Sequence, residues 1–144
     1  MSSVAVRVMV LEWAEAQRCI CSIRRTVFIE EQGVPEELDL DGLDPECLHV
    51  LAWNEQGRPI GTARMQEDGK IGRMAVLKPW RGRGVGRALL QALLSEARSR
   101  GLTSVYLAAQ IQAIGFYEKH GFQATGDIFL DAGIPHRSMI LDLS

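Results

Sequence analysis

The sequence predicts a mixed α/β domain, and three features carry that prediction. Apolar residues alternate with polar ones in short runs near the start, through residues 48–76 and again toward the end. From Gly84 to Arg100, Val85, Leu89, Leu93 and Ala97 form one stripe flanked by Leu90 and Leu94, which is helical spacing. The turn segments "NEQGRP" and "EDGK" divide residues 48–76 into three strands close enough to pair as an antiparallel meander.

Taken in order, Val6, Val8 and Val10 alternate with Arg7 and Met9 and predict a first strand. Ile20, Ile23, Val27 and Phe28 recur at spacings of three and four, predicting a helix over 14–31 that Gly33-Val34-Pro35 stops. An acidic, turn-rich segment runs to Glu46. Strands are expected at 48–53, 60–66 and 71–76, and a helix at 84–100 that ends at Gly101. A strand at 104–109, a short helix at 111–120 closed by Gly121, and strands at 122–130 and 136–143 complete the chain. The order β-α-(α)-β-β-β-α-β-α-β-β is that of one mixed sheet, with residues 1–144 as a single domain.

Composition removes several function classes. Sixteen basic against eighteen acidic residues leave a net charge of -2, which argues against bulk electrostatic binding of nucleic acid. The apolar run 4–11 is too short to span a membrane and lacks the flanks of a signal peptide. Cys19, Cys21 and Cys47 are odd in number and without zinc-ligand spacing, so free thiols in a reducing cytoplasm are expected.

The stretch "KPWRGRGVGRALL" (78–90) places Gly82, Gly84 and Gly86 among arginines where a strand hands over to a helix. Free amides and the helix dipole make such a start an anion site. A Walker A loop is excluded because Arg87-Ala88 follows Gly86 in place of Lys-Ser/Thr. A dinucleotide fingerprint is excluded because the spacing is G-x-G-x-G and the preceding strands form a meander.

Arg81-x-x-Gly84-x-Gly86, after a strand and opening a helix, resembles the R/Q-x-x-G-x-G/A motif of the GNAT family of N-acetyltransferases. "AIGFYEKHGF" (113–122) is similar to the second signature of that family, A-x-x-F-Y-x-x-x-G-F. Arg24-x-x-Val27-Phe28, Glu31-Gln32, Pro35, Asp39-x-Asp41, Asp44 and His49 resemble the ElaA-like branch. The resemblance covers nearly the whole chain. It implies a mostly antiparallel, twisted GNAT-like sheet with helices on both faces.

By that resemblance, Arg81, Gly82, Arg83, Gly84, Val85 and Gly86 line the pyrophosphate of acetyl-coenzyme A. Met74, Ala75 and Val76 pair with its pantetheine arm, and the Met74 amide faces the thioester carbonyl. Gln110 stands where many relatives carry Asn, one methylene longer in the same amide contact. Tyr117 matches the general acid that protonates the departing thiolate. Glu30, Glu31 and His49 are candidates to take the proton of an ammonium acceptor, with Glu31 ranked first.

The acidic segment, Glu36 to Glu46, has two readings: a lip that attracts cationic amines, or a solvated loop with capping aspartates. Glu37-x-Asp39-x-Asp41-Gly42 imitates half of an EF-hand loop, but Pro45 and Leu48 occupy its ninth and twelfth positions, so no metal site is expected. The function implied is acetyl transfer from acetyl-coenzyme A to a primary amine of a small molecule or peptide. The rival reading is a non-catalytic acyl-coenzyme A binding or sensing module. A homodimer is what the family suggests.

Overall fold

The computed structural model describes residues 6–144; Val4 and Ala5, the start of the first apolar run, lie outside the described residues. The elements are β1 (Arg7–Leu11), α1 (Trp13–Arg24), α2 (Glu36–Asp39), β2 (Leu48–Trp53), β3 (Pro59–Met65), β4 (Ile71–Val76), α3 (Val85–Ser99), β5 (Ser104–Gln110), α4 (Ile114–Glu118), β6 (Gln123–Asp131) and β7 (Ile134–Asp142). Strands β1-β2-β3-β4 form one antiparallel sheet, and β5-β7-β6 form a second.

The first helix departs from its predicted form. Beyond Arg24 it widens into a π-helix over Arg25–Glu31, with the Gln32 N–H reaching back five residues to the Val27 carbonyl at 3.2 Å. The periodicity of apolar residues could not separate the two, because Val27 stays buried in either form. The acidic segment also has more structure than a loop, forming α2 and a 3₁₀ turn at Asp44–Glu46.

Alternation on β2 divides the core between two faces. Val50 and Ala52 join Leu89, Leu90 and Leu93 of α3 on one side, while Leu51 joins Ala16, Ile20 and Ile23 of α1 on the other. Helices therefore cover both faces. At Gly61 the sheet and α3 approach so closely that a Cβ would stand 2.9 Å from Val85 Cγ1. That contact seats the first turn of α3, and with it the glycine-rich stretch, against the end of the meander.

The two sheets meet through β4 and β5, and barely. Among the described residues one parallel bridge, Lys70 with Tyr106, joins them, supported by the Tyr106 N–H to the Gly69 carbonyl at 3.2 Å. Beyond it the strands run on to Val76 and Gln110 without further pairing. Splayed strands of this kind leave the outer edge of β4 without a strand partner.

Candidate active site

The glycine-rich turn begins where the Leu77 N–H makes the last ladder bond, to Ile60, and a 3₁₀ turn at Lys78–Trp80 redirects the chain. Gly82 and Gly84 then take left-handed φ values of 73° and 87°. A side chain there is disfavoured by the backbone alone, since nothing lies within 4 Å of either added Cβ. The surface above both glycines is open. The first bond inside α3 runs from the Ala88 N–H to the Gly84 carbonyl, and no side chain caps the helix. The amides of Val85, Gly86 and Arg87 are thus left to an outside acceptor. Arg83 stacks on Trp80 at 5.4 Å. Beside them opens a cavity of about 570 Å³ whose charged lining residues are Arg58, Lys78 and Arg83. The electrostatics of this end suit an anion.

On β4 the ladder contains an extra residue. Gly61 pairs with Val76 and Thr62 with Ala75, but Arg64 pairs with Gly72 and Met65 with Ile71. Arg73 and Met74 therefore share one opposing residue, and Arg73 adopts a left-handed φ of 50°. The bonds from the Leu77 N–H to Ile60 and from the Gln66 N–H to Lys70 fix the phase on each side. By alternation, the amides of Gly72 and Ala75 face β3, while those of Met74 and Val76 face the unpaired edge. A regular strand would have turned Met74 inward.

Tyr117 meets the unpaired edge of β4 at Met74, in the cleft where β4 and β5 part. Its ring packs edge-on against Phe116 and Phe122, at 5.0 and 5.7 Å, and the residue is buried. Its hydroxyl donates to Met74 Sδ at 3.7 Å, a weak acceptor. Burial pushes the phenol up to about 12, so it is protonated at every physiological pH. Gly86 completes the cluster, since a Cβ there would lie 3.5 Å from Phe116 and 4.0 Å from Met74 Sδ. Gly86 and Tyr117, from two separate motifs, thus converge on Met74 of the strand.

The remaining predicted residues are engaged with one another. The Arg81 guanidinium donates from Nε to the Val76 carbonyl at 2.9 Å and from both Nη atoms to Glu31, at 2.6 and 2.7 Å. That bidentate bond holds the Glu31 carboxyl below its ordinary range. Gln110 Nε2 donates to Gln32 Oε1 at 3.0 Å, joining the end of β5 to the end of the π-helix across the cleft, and Gln112 donates to Gln110 in turn. Glu30 is exposed.

The family described as Acetyltransferase (GNAT) domain matches residues 17–143, which include every element of this cleft. The chain belongs to the GNAT acetyltransferase family. Acetyl transfer is therefore its reaction class, and an acyl-coenzyme A is the family's usual donor. A Bacillus subtilis protein named as an N-acetyltransferase, YjcF, is 40% identical over 124 residues, covering 83% of this chain and 88% of that one. The structure resembles a putative N-acetyltransferase from Lactobacillus plantarum with a TM-score of 0.88 and 28% identity, over 97% and 99% of the two chains. It resembles Escherichia coli ElaA with a TM-score of 0.84 and 26% identity, over 96% and 100%.

In this GNAT chain the aspartates of the acidic segment are drawn into a cage of arginines, while Glu36, Glu37 and Glu46 stay exposed. Asp39 and Asp44 are buried against Arg24, which is only 1% exposed and donates to both carboxylates. Arg64, also buried, donates to Asp41 at 2.5 Å and to Asp44 at 2.9 Å. Arg73 completes the cage with a bond to Asp41 at 3.1 Å. Hydrogen bonds from Arg64 hold Asp41 well below the usual carboxylate range. Burial works against the charge on Asp44, yet Arg24 and Arg64 outweigh it and keep its pKa low. These carboxylates are spent on arginines, leaving no half of a calcium loop to complete. Arg64 and Arg73 went unread in the sequence. The available signal was an arginine in the middle of a strand, β3, whose other residues are apolar or small.

His49 belongs to this cage and not to the cleft. It lies on β2, two strands from β4, with Nε2 at 2.9 Å from the Asp44 carbonyl and its ring 5.1 Å from that of Trp13. Burial lowers its pKa and keeps it neutral. Its Nε2 is engaged within the cage.

Proposed function

We propose that this protein moves an acetyl group from acetyl-coenzyme A directly to a primary amine of a small molecule or peptide. The observation that carries the proposal is the convergence of Tyr117, Met74 and the open helix start at one end of a strand edge left without a partner. Acetyl-coenzyme A supplies the acetyl group as an activated thioester. The amides of Val85 and Gly86 and the bare backbone of Gly82 and Gly84 would hold its pyrophosphate, with Arg83 adding charge. Met74 and Val76, with Ala75 between them, would present backbone groups to the extended pantetheine arm, as a neighbouring strand does.

The Met74 amide would donate to the thioester carbonyl oxygen, where negative charge grows as the amine attacks. The Tyr117 hydroxyl would donate to the sulfur as its bond to carbon breaks. A phenol near 12 gives up its proton reluctantly to a thiolate, whose ordinary value is about 8.5. The burial that raises the phenol penalises the thiolate as well, and this narrows the gap. Glu31 fits an anchoring role better than a basic one, because its carboxylate is bound at both oxygens by Arg81. The amine would then lose its proton to solvent before attack.

Tyr117→Phe tests the reading. The weak bond to sulfur contributes little to folding, so the melting temperature should hold within a few degrees. Turnover, followed as thiol release across a panel of amines, should fall by about 10²–10⁴-fold, or roughly 3–5 kcal/mol of barrier. Turnover within about threefold of wild type, with chemistry rate-limiting, removes Tyr117 from the mechanism. A wild-type protein that binds acetyl-coenzyme A and releases no thiol with any amine would be a binding module instead.

A further inference from the structure

We propose that Arg73 is a positioning residue for the Met74 amide: its guanidinium ties the left-handed bulge of β4 to residues 38–41 and so sets where that amide points. The inference rests on the donor role given above to Met74. It begins from an anomaly. Arg73 is a non-glycine residue at a φ of 50° in the middle of a strand, a conformation that costs about 1 kcal/mol or more and persists only where the surroundings enforce it.

The enforcement is visible. Arg73 Nη2 donates to the carbonyls of Leu38 and Asp39, at 3.2 and 3.3 Å, and to Asp41 Oδ2 at 3.1 Å. Nε donates to the Asp39 carbonyl at 3.4 Å and lies 3.3 Å from Asp39 Oδ1. Residues 38–41 are a firm anchor because Asp39 is gripped by buried Arg24, and Asp41 by buried Arg64. The contacts therefore run without a break from α1 through Arg24 and Asp39 to Arg73, whose own backbone is the bulge.

The direction of the Met74 amide depends on where β4 absorbs its extra residue. With the bulge at Arg73, Met74 takes the phase of Val76 and faces the cleft. Were the residue absorbed at Ala75 or beyond, Met74 would take the phase of Gly72, and its amide would turn to β3. Pinning the side chain of residue 73 pins the site of absorption. The buried cage thus acts on the cleft without touching it, and the acidic segment serves the donor end of the reaction.

Arg73→Ala is the sharpest test, since alanine keeps the strain of the left-handed φ and loses the guanidinium that enforces it, whereas glycine would hold the bulge unaided. Affinities for coenzyme A and acetyl-coenzyme A would be measured by calorimetry, and the carbonyl stretch of bound ¹³C-labelled acetyl-coenzyme A by infrared difference spectroscopy. The expected result is coenzyme A affinity within about twofold of wild type, loss of the wild-type shift of the carbonyl to lower frequency, and a fall in kcat of tenfold or more. A folded Arg73→Ala protein that keeps both the shift and a kcat within threefold overturns the proposal, because the guanidinium would then be merely structural. If Arg73→Ala does not fold, Arg73→Lys keeps a cation by Asp41 but cannot span both carbonyls. Loss of the shift in that variant supports the brace, and its retention overturns it. A wild-type protein that binds acetyl-coenzyme A with no carbonyl shift would overturn the donor role of Met74 and this proposal together. The arms are distinct, since the brace alone fails only in the variants.

Discussion

Two sets of arginines in this chain look alike in composition and behave as opposites. Arg24, Arg64 and Arg73 lie in a cage of aspartates, with Arg24 and Arg64 withdrawn from solvent and each bonded to two carboxylates. Arg81 and Arg83 stand at the glycine-rich turn, where Arg81 meets Glu31 with both side chains about a third exposed, at 38% and 34%. The difference lies in dielectric. A buried charge that loses its partner cannot turn to water, so the cage must be complete. An exposed pair exchanges one partner for water at little cost, which leaves the turn free to receive a ligand. The two regions are joined through β4, whose bulge is gripped by the cage and whose free edge and exit form the cleft.

The largest effect should come from breaking the cage. Arg24→Met leaves Asp39 with Arg73 alone and Asp44 with Arg64 alone, and should cost about 3–5 kcal/mol, read as a fall in urea midpoint and melting temperature. The acid limb gives a second reading. Asp41 and Asp44 have folded pKa values below their ordinary range, so their contribution is complete above about pH 4, the unfolded range, and is lost as pH falls through the folded values. Wild type should lose stability steeply below about pH 4, and Arg24→Met less steeply. Equal stability of the two proteins at pH 7 would erase the contrast between the regions.

A smaller effect is expected at the turn. Acetyl-coenzyme A at 100 times its Kd should stabilise the wild type by about 2.7 kcal/mol. Gly84→Val should abolish that gain, but it also strains a left-handed residue by about 1–2 kcal/mol. Gly84→Asn separates the causes, because asparagine tolerates that backbone while still filling the open space. Loss of the ligand shift in both variants means the space itself is needed. Its survival in the asparagine variant would confine the role of Gly84 to its φ.

The smallest effect should follow from Glu31→Gln. The exposed pair with Arg81 is worth about 0–1 kcal/mol, so stability should hardly change. If Glu31 only anchors Arg81, kcat/KM should rise with pH along the ionisation of the acceptor amine in both proteins, with the same slope. Tyr117, pushed up to about 12, imposes no alkaline fall below that value. A variant whose profile loses the acidic limb of the wild type would return Glu31 to the role of base.

Much of the cleft was legible in one dimension because its parts are local. The glycines of the turn announce themselves, since left-handed φ at 82 and 84 excludes most other residues and a free helix start needs only the residues of one turn. The Phe-Tyr pattern marked the short helix that brings Tyr117 to Met74. The acidic segment was misread because its carboxylates crowd one stretch of chain, while the arginines that neutralise Asp39, Asp41 and Asp44 come from α1, β3 and β4. Charge read along a chain shows only one side of such a pair.

The element order, the two apolar stripes and the anion-ready start of α3 are written locally in the chain, because periodicity and backbone preference act over neighbouring residues. Packing between distant segments settled which charges are buried, that His49 lies in the cage, and that the edge of β4 is left open. It also decided the bulge at Arg73, which no local preference favours. The physical reason is that each of these is a pairing between segments distant in the chain, and its energy depends on what the partner's folding has already excluded from water.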